Sequence, residues 1–279
     1  MPTTVFPPKH ILFPVDFSGR SATVAPMAAE FARRFDAELT LLHIAPLFPE
    51  GSPEGRRLLM DGFATVELAG LRTKRVILCS DNDPGREIAD FAQQNKANLI
   101  VMPTHGYGPF RRFLFGSVTL KVLHDAECPV WTSAHIEEHP DFRNVSFGSV
   151  ACALDLSDKS CTTLKWASQL AAEYGARLTI VHAIPSPASA GGEYMYTDWY
   201  EQATDWARAQ IANLQASLGT NADVEIVSGE TAYAVRQGAE MAHADLLVIG
   251  RSHAEGWTGR LRTHAFAIIR HSPCAVVSV

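Results

Sequence analysis

No uninterrupted apolar run in this chain approaches 18 residues, the length a membrane-crossing helix needs, so no membrane span is expected. Positive charge is also short. Against 30 Asp and Glu stand 24 Lys and Arg, leaving a net charge of −6. Nucleic acid is therefore not an expected partner, because a phosphate backbone is met by a basic face. Cysteine is sparse: Cys79, Cys128, Cys152, Cys161 and Cys274 include no C-x-x-C pair. That spacing points to free, buried thiols in a reducing cytosol rather than a disulfide or zinc framework. His243, His253, His264 and His271 also lack zinc spacing, and no metal centre is expected. A G-x4-G-K-[S/T] phosphate loop is missing, as is any serine, histidine and acid spacing that argues for nucleophilic catalysis. The chain is not read as an enzyme. Residues 1–9 show no long apolar stretch and no small-residue cleavage site, so no secretion signal is expected and the reading is cytoplasmic.

What the chain has is duplication. Its 279 residues, 47% hydrophobic and 19% charged, suit one large or two average globular domains. Residues 10–46 placed over 149–185, a shift of 139, match at 11 of 37 positions without a gap. Unrelated sequences would match at roughly two. The matches include Asp16/Asp155, Ser18/Ser157, Ser21/Ser160, His43/His182 and Pro46/Pro185. A second block aligns Leu99 with Leu246, a shift of 147, so the second half carries extra residues around 186–205. Two domains are expected, 1–140 and 146–279, joined by the polar, aperiodic segment 135–147.

Each copy alternates short apolar runs with amphipathic stretches. Ile11–Val15, Leu39–Ile44, Arg75–Cys79, Leu99–Met102 and Pro129–Thr132 read as strands. Val24, Ala28, Phe31 and Phe35 share one helical face, and Arg86–Gln94 and Ser117–His124 read as helices. The expected fold is α/β: two doubly wound, mostly parallel five-stranded sheets in tandem, Rossmann-like. Ligands of such sheets sit beyond the C-terminal strand ends, where Asp16 and the segment after Met102 lie. Residues 51–62 and 186–192 read as irregular, and 194–206, with Tyr196, Trp199, Tyr200 and Trp206, as the start of a long helix with packed aromatics. His43 and His182 read as satisfied core histidines.

After Met102 comes a degenerate glycine loop. Pro103-Thr104-His105-Gly106 is followed by nine residues and then Gly116-Ser117-Val118-Thr119, which opens a helix. Glycine permits close backbone approach, and the free N–H groups of a first helical turn attract an anion. In the second half Gly250 remains, but His253 and Arg262 stand at the later glycine positions, with Thr263 at the serine position.

Together these residues resemble the universal stress proteins, here as a tandem pair. The segments Ile11–Ser18, Leu41–Ile44 and Cys128–Val130 are similar to the family's first, second and final strands. Nucleotide-binding members carry G-x2-G-x9-G-[S/T]; Gly106, Gly116 and Ser117 fill its later positions, and Pro103 stands at the first. The resemblance implies an adenine nucleotide, ATP or AMP and for ATP with Mg, in the first half. Asp16 would accept hydrogen bonds from the adenine or ribose, while Pro14, Val15, Ile44 and Met102 line the base. His105 and Gly106 would lie by the phosphates, with Gly116, Ser117, Val118 and Thr119 giving N–H and hydroxyl donors and Pro103 at the site in place of the first glycine; Arg111 and Arg112 read either as a solvated basic pair or as added charge on the phosphate side. A partner would then read the nucleotide-stabilised arrangement of 104–115, making the protein a stress-responsive regulatory or signalling module. The alternatives are a nucleotide-free dimerisation scaffold and, more weakly, a slow ATP hydrolase, although the S-G-G-x-D-S loop of related pyrophosphatase-type proteins is missing. For the second half the resemblance implies a structural or interaction role. It also implies an internal pseudo-dimer of the two halves, and a homodimer, through the final strands.

Overall fold

A computed structural model of the chain describes residues 5–48, 52–104, 116–133, 146–184, 193–251 and 260–279, with the side chains of 193–198 and 260–263 excepted. The chain divides into two compact units, Met1–Val145 and Ser146–Val279.

In the first unit the strands are β1 (His10–Pro14), β2 (Glu38–Ala45), β3 (Thr73–Cys79), β4 (Leu99–Met102) and β5 (Val130–Thr132). They lie in the order β3-β2-β1-β4-β5, all parallel, with Ile11 opposite Leu39 on one side and Leu99 on the other. Consecutive residues Ile11, Leu12 and Phe13 are all fully buried. Successive strand side chains point to opposite faces, so both faces of the sheet are covered, as an all-parallel sheet requires. The covering helices are α1 (Gly19–Arg34), α2 (Pro53–Gly62), α3 (Pro84–Gln94) and α4 (Ser117–Asp125). Val24, Ala28, Phe31 and Phe35 are buried on or just after α1. On α3, Ile88 is buried and Phe91 half-buried.

The second unit repeats the pattern. Strands β6 (Ser149–Ala153), β7 (Arg177–Ile184), β8 (Asp223–Ser228), β9 (Leu246–Ile249) and β10 (Ala275–Ser278) lie in the order β10-β9-β6-β7-β8, again all parallel. Helices α5 (Ser160–Tyr174), α6 (Glu193–Leu218), α7 (Thr231–Met241) and α8 (Arg260–His271) accompany them. In both sheets the chain reverses its direction of strand addition beside the first strand of the unit. That reversal leaves a crevice past the C-terminal ends of β1 and β4, and of β6 and β9.

Three expectations need correction. Residues 53–62 are helical, not irregular, because Ser52 accepts the Gly55 amide at 3.0 Å and Pro53 occupies the first turn. Trp199 and Trp206 are exposed, not packed; they lie seven apart on α6, whose buried side holds Ala207 and Ile211. Cys79 and Cys161 are exposed, whereas Cys152 and Cys274 are buried, and none of the five cysteines is in a disulfide. Burial pushes both buried thiols up, Cys274 to about 12, which leaves them unreactive at neutral pH. The segments 186–192 and 135–145 lie outside the described residues.

Candidate functional site

The site begins where β1 ends. Val15 continues the ladder by donating its amide to Leu42 at 2.8 Å, and the chain then turns sharply, with Phe17 at φ 58°. A left-handed conformation in a bulky residue costs about 1–3 kcal/mol and persists only where its surroundings hold it. Here the Asp16 carboxylate does the holding. Its Oδ1 accepts the Ser18 amide at 3.0 Å, the Ser18 hydroxyl at 2.6 Å and the Ser21 hydroxyl at 2.5 Å. Ser18 in turn caps α1 by accepting the Ser21 amide at 3.2 Å. Partial burial pushes the Asp16 carboxyl up, but the donated hydrogen bonds outweigh it and hold the group below the usual carboxylate range. Asp16 is thus a fixed, ionised acceptor at the rim of the crevice.

The second unit repeats this bracket. Leu156 has φ 58°, and Asp155 Oδ1 accepts the Ser157 amide at 3.0 Å, the Ser157 hydroxyl at 2.6 Å and the Ser160 hydroxyl at 3.1 Å. Its carboxyl is lowered in the same way, hydrogen bonds overcoming desolvation. His43 Nδ1 donates to the Val15 carbonyl at 2.9 Å and His182 Nδ1 to the Leu154 carbonyl at 2.8 Å. Both are half-buried histidines with a structural bond, and His182 also lines a cavity.

In the first unit one cavity of about 340 Å³ gathers Pro14, Val15, Asp16, Ile44, Met102, Pro103, Gly116, Ser117, Val118 and Thr119. Sequence reasoning missed Ser21, Leu42, Pro84 and Ile88, which also line it. The recurrence of Asp-x-Ser-x-x-Ser in both copies is the signal that points to Ser21. His105, Gly106, Arg111 and Arg112 lie outside the described residues. Pro103 is part of the lining, and the hollow is open with it in place. Its carbonyl accepts the Thr119 hydroxyl at 3.1 Å, so that hydroxyl is committed rather than free to donate. Gly116 donates its amide to Thr104 and receives no side-chain cap bond. The first amides of α4, at Ser117, Val118 and Thr119, therefore have no intrahelical acceptor and lie at the cavity wall. Gly85 brings α3 against α4: a Cβ there would lie 2.6 Å from the Lys121 Cβ and 2.8 Å from the Val118 carbonyl oxygen. Fixed acceptor, apolar walls and uncapped helix N-terminus together suit a ligand with hydroxyl or amine donors, a flat apolar body and an anionic tail.

The family model for universal stress proteins matches the chain twice, over residues 8–133 and 146–279. The chain belongs to the universal stress protein family. Universal stress protein MJ0531 of Methanocaldococcus jannaschii is 34% identical over 137 residues, covering 44% of this chain and 79% of that protein. Universal stress protein Sll1654 of Synechocystis is 31% identical over 132 residues, covering 44% and 83%. A solved universal stress protein from Archaeoglobus fulgidus matches 96% of this chain and 95% of its own, with a TM-score of 0.67 at 22% identity, a likeness of fold. Each copy in this chain is thus one universal stress protein domain, and the Asp–Ser–Ser bracket is built in both. Among the described residues no helix is long and apolar enough to cross a membrane, and no group of three or more His, Cys, Asp or Glu is placed to hold a metal.

Proposed function

We propose that this universal stress protein binds an adenine nucleotide, AMP or ATP, in its first unit and acts in the cytoplasm as a stress-responsive regulatory module. The observation that carries the reading is the single cavity in which Asp16 and the uncapped start of α4 both take part. Pro14, Val15, Leu42, Ile44, Ile88 and Met102 supply apolar wall for a purine. Asp16 accepts from ribose hydroxyls or the adenine amine. The amides of Ser117, Val118 and Thr119 meet phosphate, with His105 and Gly106 completing that side, and Mg accompanying ATP, as the resemblance implies. A volume near 340 Å³ lies at the small end of ligand sites and suits a nucleoside whose phosphates extend toward the mouth.

A binding role is favoured over hydrolysis. No histidine or cysteine lines this cavity among the described residues, and the Ser18 and Ser21 hydroxyls are tied to Asp16. Nucleotide occupancy is then the signal, read by a partner, in a chain that assembles as a homodimer. Mass spectrometry of the denatured purified protein tests the reading: AMP or ATP released in near-stoichiometric amount supports it. No nucleotide released, with no heat on titration with AMP or ATP, would return the chain to the scaffold reading.

A further inference from the structure

A side-chain bond ties the segment after β4 to the first turn of α4, and the second unit lacks the residue that makes it. Thr119 donates its hydroxyl to the Pro103 carbonyl at 3.1 Å, and Gly116 donates its amide to the Thr104 carbonyl, also at 3.1 Å. Two successive carbonyls after β4 thus hold two points of one helical turn. Thr119 is only 3% exposed, so water competes little for its bond. In the second unit, one residue out of the shift of 147, Ala265 stands at the Thr119 position, and Gly250 stands at that of Pro103. The hydroxyl and the proline that accepts it are thus both particular to the first unit.

A threonine hydroxyl has one proton to give. Given to Pro103, that proton is not offered to a bound anion, and what Thr119 presents to the cavity is its amide. The helix fixes the amides of Ser117, Val118 and Thr119 relative to one another. It does not fix them relative to the strand ends, where Pro14, Val15, Leu42, Ile44 and Met102 line the other side of the cavity. The Thr119 bond supplies that second relation. Both partners are stiff: proline has a fixed φ, and a β-branched side chain has few χ1 choices in a helix. A hydrogen bond to an anion is short, about 2.7–2.9 Å, so a small displacement of α4 is felt at the phosphate. A base held by the strand ends is left where it was.

We propose that Thr119 is the positioning residue for the phosphate end of the first cavity. Its bond to the Pro103 carbonyl sets the start of α4 where the helix amides meet a phosphate carried by a nucleoside on the strand ends. The inference rests on the nucleotide reading of this cavity. It goes further by separating affinity for the phosphate group from affinity for the nucleoside.

The test is calorimetric titration of the full chain with AMP and with adenosine. The parent binds AMP more tightly than adenosine. Thr119→Val keeps the branched shape without the hydroxyl, and Thr119→Ala gives the first unit the residue that the second carries. Each is expected to lose about tenfold in AMP affinity while adenosine affinity stays within about twofold of the parent, which also reports an intact fold. Thr119→Ser keeps the hydroxyl and restores the AMP preference. Ala265→Thr, in the second unit, leaves both affinities as they were. AMP and adenosine weakened equally in Thr119→Val and Thr119→Ala overturn the proposal, as does an AMP preference that survives in both or that Thr119→Ser fails to restore. A parent chain that binds neither AMP nor adenosine overturns the nucleotide reading itself, and this inference with it.

Discussion

The two cavities are alike in position, volume and bracket, and differ in the charged residues that line them. In the first, Asp16 is the only charged side chain among the described lining residues; in the second, Asp155 is joined by Lys159 and Arg251. The bracket depends on local geometry: an aspartate at a strand end, a left-handed residue after it and two serines that return to the carboxylate. Duplication copies that unit whole, because a change in any member leaves a strained turn unsupported. The walls carry no such obligation. Ile44 and Ala183, Pro103 and Gly250, Val118 and His264 differ, so the lining changes while the hollow persists.

The contact between the third and fourth helices of each unit gives the largest way to break this comparison. Gly85 has no room for a Cβ, whereas Ala232 holds the matching position. Gly85→Ala is expected to cost about 1–3 kcal/mol in urea denaturation and to shift the start of α4, weakening AMP binding as well. Ala232→Gly is expected to cost only about 0.5–1 kcal/mol and to leave AMP binding alone.

An exchange of walls comes next. Ile44→Ala removes apolar surface from the first cavity and is expected to weaken adenosine binding about tenfold in calorimetry. Ala183→Ile, the reverse change in the second unit, is expected to leave adenosine binding unchanged.

Acid acts on both units. The Asp16 and Asp155 carboxyls lie below their ordinary value of 3.8 in the folded protein. The unfolded chain therefore binds more protons as pH falls through 3.8 toward the folded values, and the stability these carboxylates contribute, full above that window, is lost within it. Circular dichroism melts between pH 5 and about 2 are expected to show a shallower decline for the Asp16→Asn, Asp155→Asn double variant than for the parent.

Pro103→Gly carries the smallest expected effect. The Pro103 carbonyl accepts the Thr119 hydroxyl, and glycine keeps that acceptor. AMP affinity is expected to change by less than about threefold, with under 1 kcal/mol lost through the freer unfolded chain.

Much of this was legible beforehand. The apolar runs locate β1 to β5 within a residue or two because strands buried on both faces leave little ambiguity. Ten of the residues expected around the nucleotide line one cavity. The helix at 53–62 escaped because Gly55 and Gly62 read as loop, although Ser52-Pro53-Glu54 is a helix-start signal. The exposure of Trp199 and Trp206 was hidden because a long helix shows its period in sequence but not which stripe its neighbours cover. The cations of the second cavity were hidden for a similar reason. Lys159 precedes α5 and Arg251 follows β9, nearly a hundred residues apart, and only the crossover between parallel strands brings them to one hollow.

Equilibrium dialysis of AMP against the full chain, its Asp16→Ala variant and its Asp155→Ala variant tests the central claim most directly. One AMP per chain is predicted for the parent and for Asp155→Ala, with affinity falling about ten- to a hundredfold in Asp16→Ala as a charge-assisted hydrogen bond is lost. AMP retained at full affinity by Asp16→Ala, or released by Asp155→Ala instead, would contradict the account.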